Sequence, residues 1–381
     1  MAGTIRKRTW VTRKGETKTA WLADYFDQKR GRHSKQFATK KAADAWLLRA
    51  RSEIRDGIHT PDGAGITIAE AGRLWLSRCE ADGLEPGSLL QYRTHLRLHI
   101  TPSLGNIRLT QLTPPDVEAW RDELLQRLTR HRALLILSSL KSILKDAQRR
   151  GHIVYNAAQA TRIDRKKRER ELIEIGRDIP SKAEVQAILA AAHERWRPVL
   201  VTAAFTGMRA GELRGLTWDA VDLTRRTIRV RQRADFWGAL GAPKTAAGRR
   251  EIPLAPIVGN TLREWRVAYP YGKDGIVFCA HSHGARGGVL NHGELWRVFR
   301  ATQLRANVVD AAGKPKYRFH ALRHFFASAG IEAGFPPKRL QTLLGHGSIT
   351  MTYDVYGHLF PNPEDDHTRL AAIERAVTGA F

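Results

Sequence analysis

The sequence has little cysteine, few acidic residues relative to basic ones, and no long hydrophobic run. Its two cysteines, Cys79 and Cys279, are far apart and lack CxxC spacing. This argues against a disulfide scaffold and a cysteine-based zinc site, and it favours a reducing cytoplasm. No run of about 18 apolar residues exists, so we expect no membrane insertion. The basic first residues precede no apolar stretch, so no secretory signal is expected.

The charge balance is strongly basic. The 381 residues include 63 Lys and Arg against 38 Asp and Glu, which gives a formal net charge of +25. This excess predicts a polyanionic partner, with nucleic acid first and an anionic membrane second. Apolar residues make up 42% of the chain, with 10 Trp and 12 Phe, which excludes a largely disordered protein. The length fits about two or three domains.

Residues 1–57 are predicted to form a small three-stranded sheet and one helix. Charged turns separate the three strand-like runs. The helix begins near Lys40, places apolar side chains on one stripe and ends near Gly57. A linker rich in glycine and proline follows. The predicted strands are Thr4–Val11, Thr19–Phe26 and Ser34–Ala38.

Residues 66–161 are predicted to be an all-α bundle of four helices. Thr67 and Glu70 have the spacing of a capping box, which satisfies the free N–H groups of a first helical turn. Thr113 and Pro114 predict an N-cap and a first helical residue. The other two predicted helices are Ser88–His99, which ends before Pro102, and Arg132–Arg150, which ends at Gly151.

A basic linker, residues 162–179, is predicted to join the bundle to a mixed α+β, mostly helical domain at residues 180–381. The linker contains six Lys and Arg within Arg162–Glu171 and could lie along phosphates. Another capping box, Ser181 with Glu184, opens the domain. The alternating runs Thr227–Arg231 and Arg250–Leu254 predict a hairpin.

Several residues of the third region could act on a phosphate. Arg209 lies between Gly207 and Gly211, where backbone can approach a ligand. Lys244 is predicted at the tip of the hairpin, where an ammonium could protonate a leaving oxygen. Taken alone, each of these two residues is more typical of an ordinary solvated surface side chain.

The histidines and tyrosines of this region are the remaining candidates. His320 and Arg323 share one helical face, and His346 follows the predicted helix stop Gly345. The spacing of His320 and His324 also suggests a zinc helix, but Ala321 stands where a metalloprotease needs its Glu base. The further candidates Tyr353 and Tyr356 lie three residues apart, and tyrosines in a helix are ordinarily core residues.

Taken together, these side chains suit phosphoryl transfer on DNA. Attack on a phosphodiester adds negative charge to its equatorial oxygens, and two planar guanidiniums can hold those oxygens with paired hydrogen bonds. No acidic trio that would bind a metal is evident in the sequence. We therefore expect the arginines to take the place of Mg²⁺, with no metal and no cofactor required.

Three sequence boxes resemble those of the tyrosine recombinases, or phage integrase family. They are Thr206–Leu213 (TGMRAGEL), His320–His324 (HALRH) and Leu344–His358, which begins LGH and ends YGH. Upstream, Tyr92–Gly105 and Leu109–Pro114 are similar to the core-binding helical domain of that family. Residues 1–57 resemble its arm-type DNA-binding domain.

The resemblance implies a role for each matching residue. Arg209 and Arg323 would bind the scissile phosphate, and His320 and His346 would donate hydrogen bonds to it or move protons. Lys244 would protonate the leaving 5′-oxygen, and Glu212 would orient the site. Tyr356 would be the nucleophile, because it stands ten residues after His346 and precedes Gly-His. Tyr353 stands seven after, and we expect it to pack under the helix.

A recombinase of this family would act on duplex DNA at core and arm-type sites, as a homotetramer, with possible accessory DNA-bending or directionality factors. Its C-terminal helix, Leu370–Val377, would be exchanged between neighbours. It would integrate or excise a phage or another mobile element in a bacterial cytoplasm, at the nucleoid. Two alternatives use the same residues differently: a type IB topoisomerase that reseals its own strand, and a catalytically inactive DNA-binding regulator.

Overall fold

The computed structural model describes residues 3–12, 15–26, 31–55, 65–164, 172–269, 272–280, 287–360 and 366–378. The chain forms two compact units, Met1–Arg168 and Glu169–Phe381. It is mostly helical, with small antiparallel sheets. In these ranges no helix is long and apolar enough to cross a membrane. The linker prediction after Gly57 falls largely outside the described residues, as does the basic core of the linker at 165–171.

The first unit begins with an antiparallel sheet backed by a helix. The three strands lie side by side in chain order, with Arg6 opposite Leu22 and Leu22 opposite Gln36. Tyr25 and Trp46 pack edge to face with ring centroids 5.1 Å apart, which joins the inner sheet face to the helix. The predicted elements are all present. They are β1 (Thr4–Val11), β2 (Thr17–Phe26), β3 (Arg32–Phe37) and α1 (Lys40–Arg55).

The rest of the first unit is helical and has its own apolar core. The predicted capping box of Thr67 and Glu70 forms, and Thr113 is the predicted N-cap, where it also forms a capping box with Asp116. Its helices are α2 (Ile68–Ala81), α3 (Pro86–His95), α4 (Thr101–Leu104), α5 (Pro114–Arg127) and α6 (Arg130–Arg149), with a π-helical turn at Leu96–Ile100.

The prediction that the second helix ends before Pro102 is wrong. The helical path continues through the π-helical turn into α4, where Pro102 occupies the first turn. A proline is tolerated there because its missing N–H would have no partner within that turn. The wider π-helical turn shifts the hydrogen-bond register of the helix just before the proline.

The second unit is built on a larger core of helices around two small sheets. The capping box of Ser181 and Glu184 forms as predicted. Its strands are β4 (Val221–Asp222), β5 (Thr227–Val230), β6 (Arg233–Ala234), β7 (Leu240–Gly241) and β8 (Arg250–Pro253). Its helices are α7 (Lys182–Ala190), α8 (Arg197–Thr206), α9 (Ala210–Arg214), α10 (Pro256–Ala268), α11 (His292–Arg305), α12 (Ala321–Glu332), α13 (Pro337–Leu344), α14 (Ile349–Tyr356) and α15 (Asp366–Thr378).

The two strands of the predicted hairpin pair with each other, but no tight turn joins them. Strands β5 and β8 pair antiparallel, with Ile228 opposite Ile252, and β4 completes the sheet. The connection between them, about twenty residues, forms a second ribbon of β6 and β7 because it is too long for a tight turn. Lys244 therefore follows β7 and does not lie at a hairpin tip.

Candidate active site

The C-terminal end of α13 gathers three arginines. The last carbonyls of a helix have no partner within it, and here each of three consecutive carbonyls accepts a guanidinium hydrogen bond. The pairs are Arg250 Nε with Leu343 (2.6 Å), Arg323 Nη2 with Leu344 (2.6 Å) and Arg209 Nη2 with Gly345 (3.0 Å). The negative end of the helix dipole favours these cations. One helix end therefore fixes three arginines that are distant in sequence.

Gly345 makes this helix end possible. It has a left-handed backbone, φ +65°, which a residue with a side chain adopts only at a cost. A Cβ at this position would lie 2.9 Å from the Ala247 carbonyl oxygen and 2.9 Å from Arg250 Nη1. The glycine therefore ends α13, brings the Arg250 strand close and turns the chain into His346.

Arg209 is presented at the junction of α8 and α9. Gly207 ends α8 in a left-handed conformation, φ +62°, and Arg209 is the N-cap of α9. Its Nη1 donates to Glu212 at 2.9 Å, and its side chain remains 37% exposed. The guanidinium is thus held along one edge, and part of it is accessible to a ligand.

Glu212 is buried between two arginines. Arg250 donates to both of its carboxylate oxygens, at 3.0 and 2.8 Å. Burial by itself would raise the pKa of the Glu212 carboxyl, but the hydrogen bonds and charge of Arg250, followed by those of Arg209, lower it below the ordinary value. The carboxylate is therefore ionised at neutral pH and fixes both guanidiniums.

Arg323 is the most deeply buried of the predicted cations. It lies in the first turn of α12, is only 3% exposed, and donates to the carbonyls of Gly207 and Leu344. Burial lowers the pKa of its guanidinium to about 9, and the charge of Arg209 adds to this effect. It remains protonated at pH 7, so a fixed positive charge stands beside Arg209.

Both predicted histidines are neutral at pH 7. Desolvation by the surrounding protein, followed by the charges of His324 and Arg323, lowers the pKa of His320 to about 4. Burial, followed by the charges of Arg323 and Arg209, lowers the pKa of His346 to about 3. The Nδ1 atom of His346 hydrogen-bonds Thr352 Oγ1 at 2.9 Å. Each neutral ring still carries one N–H that can donate to a phosphate.

The structure separates the two candidate tyrosines. Tyr356, the last residue of α14, is 1% exposed, and its hydroxyl lies 2.8 Å from His324 Nδ1. Burial raises the pKa of this phenol to about 12, although the charge of Arg323 acts in the opposite direction. Tyr353 is 51% exposed, so the expectation that it packs under the helix is wrong. Its ring contacts the Phe360 ring, with centroids 5.9 Å apart.

Lys244 lies beside the cluster, in a cleft. Together with Arg209, Glu212 and the backbone around Gly248, its exposed side chain lines a cavity of about 410 Å³. No group of three or more His, Cys, Asp or Glu side chains that could hold a metal is found in the described ranges. The cleft therefore presents cations and hydrogen-bond donors to a bound anion.

Two residues of the cluster were missed by the sequence analysis. Arg250 appeared only as part of a strand. In β8 it lies on the same buried face as Ile252, and a charged residue at a core-facing strand position indicates a buried partner. His324 was considered only as a zinc ligand. Its contact with Tyr356 joins α12 to α14, and no local sequence pattern reveals such a contact.

Two family models match the chain. Residues 181–362 match the phage integrase family, and residues 67–125 match the N-terminal SAM-like domain of phage integrases. The XerC-like tyrosine recombinase of Caldanaerobacter subterraneus subsp. tengcongensis is 25% identical over 343 residues, which is 85% of this chain and 87% of that protein. The integrase of Mycobacterium phage D29 is 23% identical, covering 91% of this chain and 92% of its own length.

Solved structures share the fold. The Tn1549 transposon integrase in complex with a circular intermediate DNA has a TM-score of 0.63 and 20% identity, covering 82% of this chain and 99% of its own. A lambda integrase tetramer bound to a Holliday junction has a TM-score of 0.58 and 20% identity, covering 90% and 96%. These comparisons favour a recombinase over a topoisomerase or an inactive regulator. The two family models together span more than half of the chain, which belongs to the phage integrase family of tyrosine recombinases, enzymes that cleave and rejoin DNA strands.

Proposed function

We propose that this recombinase breaks duplex DNA at a specific core site with Tyr356 and stores the bond as a 3′-phosphotyrosyl link. The observation that carries the proposal is the convergence of a buried phenol and two fixed guanidiniums around the end of α13. A free 5′-hydroxyl would remain, and the hydroxyl of another strand would then attack the link. This exchange conserves the energy of the phosphodiester, so it needs no nucleotide cofactor.

Arg209 and Arg323 would stabilise the pentacoordinate phosphorus. Their guanidiniums are held by backbone carbonyls and by Glu212 before any DNA arrives, so little reorganisation is needed as charge develops. His320 and His346, both neutral, would each donate one N–H to the same oxygens. Glu212 would act as a positioning residue, because it touches the arginines and not the phosphate.

Lys244 would protonate the leaving 5′-oxygen. The lysine lines the same cleft as Arg209, so its flexible ammonium can reach an oxygen on a phosphate held there. No hydrogen bond to another described residue is needed for this role, since proton donation takes place only when DNA is bound.

The N-terminal sheet would contact separate arm-type DNA sites. Residues 1–57 carry 15 Lys and Arg against 6 Asp and Glu. The sheet face turned away from α1 holds Arg6, Arg8, Lys18 and Arg32. These cations suit a phosphate backbone. We assign residues 66–161 and 180–381 to the core site, with the basic linker 162–179 along the DNA between them.

Recombination would involve four copies on two duplexes. Helix α15 exposes Leu370, Ile373 and Val377 at helical spacing, a face that calls for an apolar partner. The same unit carries an apolar groove of about 850 Å³, with Phe326 and Phe335 among its walls. We assign α15 of a neighbouring copy to this groove. Because related proteins are phage, prophage and transposon integrases, the substrate would be the attachment sites of a mobile element in the cytoplasm, with accessory DNA-bending or directionality factors.

The test is a covalent adduct on nicked duplex DNA with a randomised core, trapped by detergent. Wild-type protein should form the adduct, and the selected duplex becomes the probe. Tyr356→Phe should form none while binding the same duplex, because only one hydroxyl is lost. Tyr353→Phe, three residues away on the same helix and exposed, is the matched control and should retain the adduct. An adduct that survives in Tyr356→Phe and disappears in Tyr353→Phe would reverse the assignment.

A further inference from the structure

We propose that His324 is a catalytic residue of this recombinase, the base that accepts the phenol proton of Tyr356 during strand cleavage. The inference rests on the proposed role of Tyr356 as nucleophile. It adds a residue whose side chain contacts the reacting oxygen itself. The resemblance to the family gave this residue no role.

The geometry gives His324 a direct path to the nucleophile. Its Nδ1 lies 2.8 Å from the Tyr356 hydroxyl, within the distance at which a proton passes between heavy atoms. The two residues come from α12 and α14, and their rings are 5.7 Å apart. Because the phenol is almost fully buried, water has little access to its proton. The Nδ1 atom of His346 is engaged with Thr352, whereas the Nδ1 atom of His324 contacts the Tyr356 hydroxyl.

Among the described residues, four charged or titratable groups act on the His324 ring. Arg323 and His320 lie on its own helix, with the His320 ring 5.0 Å away. Tyr356 approaches from α14, and Asp178 approaches from the segment before α7. Burial, followed by the charge of Arg323, lowers the pKa of His324, whereas Asp178 raises it. The ring is therefore neutral at pH 7 and able to accept, and Asp178 can stabilise the imidazolium once it forms.

The proposed step balances. With the ring proton on Nε2, the Nδ1 lone pair takes the proton from Tyr356 Oη as that oxygen bonds to phosphorus. The bond between phosphorus and the 5′-oxygen breaks, and the leaving oxygen takes its proton from Lys244. In the rejoining step the order reverses: a 5′-hydroxyl attacks the phosphorus and gives its proton to the neutral Lys244 amine, the bond between phosphorus and Tyr356 Oη breaks, and the departing phenolate recovers its proton from the His324 imidazolium.

The experiment measures single-turnover adduct formation across pH on the nicked duplex selected with wild-type protein. His324→Asn places an amide near the Nδ1 position but cannot take a proton. We expect its cleavage to fall on the order of 10²–10⁴-fold, the usual contribution of a general base. The wild-type rate should decrease as the pH falls below the pKa of His324, and it should be constant at higher pH. The variant should instead keep rising with pH, because its phenol must lose the proton to hydroxide.

A second substrate separates the two ends of the reaction. In this substrate, sulfur replaces the bridging 5′-oxygen, and the sulfur leaving group needs no proton. The substrate should therefore restore cleavage by the Lys244→Ala variant but not by the His324→Asn variant. The control variant His193→Asn replaces an exposed histidine in the segment between α7 and α8, and we expect the wild-type profile. His324→Gln provides a second variant in case His324→Asn lowers the thermal stability of the protein.

Three results would overturn the assignment to His324: a wild-type rate and pH profile in the variants, a slower rate with an unchanged profile, or rescue of His324→Asn by the sulfur substrate. Wild-type adduct formation that does not require Tyr356 would defeat the proposed nucleophile instead. The two failures are therefore distinguishable.

Discussion

Glu212 and Arg250 form a buried ion pair on which the orientation of Arg209 depends. Both side chains are almost inaccessible, and the guanidinium meets the carboxylate with two hydrogen bonds. A buried pair of this kind adds little net stability compared with apolar replacements, but loss of one partner strands the other charge in a low-dielectric interior. Its value here is that it fixes Arg209, the arginine that we propose binds the scissile phosphate.

Arg250→Met should therefore destabilise the protein by about 3–5 kcal/mol at pH 7, because the Glu212 carboxylate loses its main partner. Denaturant unfolding of the full chain measures this. The double variant Glu212→Leu/Arg250→Met should recover much of the loss, since no charge remains buried. If the double variant is no more stable than the single one, the stranded carboxylate is not the cause.

The same pair predicts a pH dependence. The folded pKa of Glu212 is below its ordinary value of 4.5, so its contribution to stability is fully present above that pH and is lost as the pH falls through the folded value. The stability of the wild-type protein relative to the double variant should therefore shrink only below about pH 4.5. A gap that stays constant down to pH 3 would contradict the lowered pKa.

Sequence reasoning found those cluster residues that lie in spaced boxes, and it missed those whose role depends on distant contacts. Arg209 and Arg323 stand out beside glycines and histidines. Arg250 gains its role only when β8 packs against the end of α13, and His324 only when α14 folds back onto α12. Such pairings are separated by many residues, so neither periodicity nor capping chemistry encodes them.

Among the secondary-structure elements, local chemistry decides which predictions succeed. The capping boxes of Thr67 and Ser181 and the N-cap at Thr113 form as expected because they involve only neighbouring residues. The helix end at Pro102 was predicted wrongly because a π-helical turn accommodates the proline. The hairpin connection was predicted wrongly because strand alternation says nothing about the chain between the strands.

Helix α13 shows how one element end controls the site, and this predicts the effect of Gly345→Ala. The left-handed backbone costs a non-glycine residue roughly 1–2 kcal/mol, and the new Cβ would also contact Ala247 and Arg250. Relief of that contact would move the turn that holds the arginines, so we expect adduct formation to fall more steeply than stability. Single-turnover cleavage and denaturant unfolding measure the two effects.

Gly347→Ala is the matched control for this prediction. Gly347 lies two residues further along, it is not among the glycines with a positive φ, and a Cβ there would meet nothing within 4 Å. We expect near wild-type stability and cleavage. Equal losses in both variants would mean that the whole turn tolerates no side chain, and that the end of α13 has no special role.

Across the molecule, the charge is spread over both units. Of the net +25, residues 1–57 contribute +9, from 15 basic and 6 acidic residues. A protein that neutralises many phosphates releases their counterions, so its affinity falls steeply with salt. If residues 1–57 bind arm-type sites separately, they carry their own share of this salt dependence, and the rest of the chain retains the core site.

Removal of residues 1–64 should therefore leave cleavage of the selected nicked duplex nearly intact, because the cluster lies wholly within the second unit. Footprints of the full chain on attachment-site DNA should contain protected segments that the shortened chain leaves open. On DNA that carries those segments, the slope of log affinity against log salt should become shallower in the shortened chain, by about 0.9 for each phosphate that is no longer neutralised. Identical footprints and slopes would mean that the N-terminal sheet binds no DNA of its own, and its basic face would then need another partner.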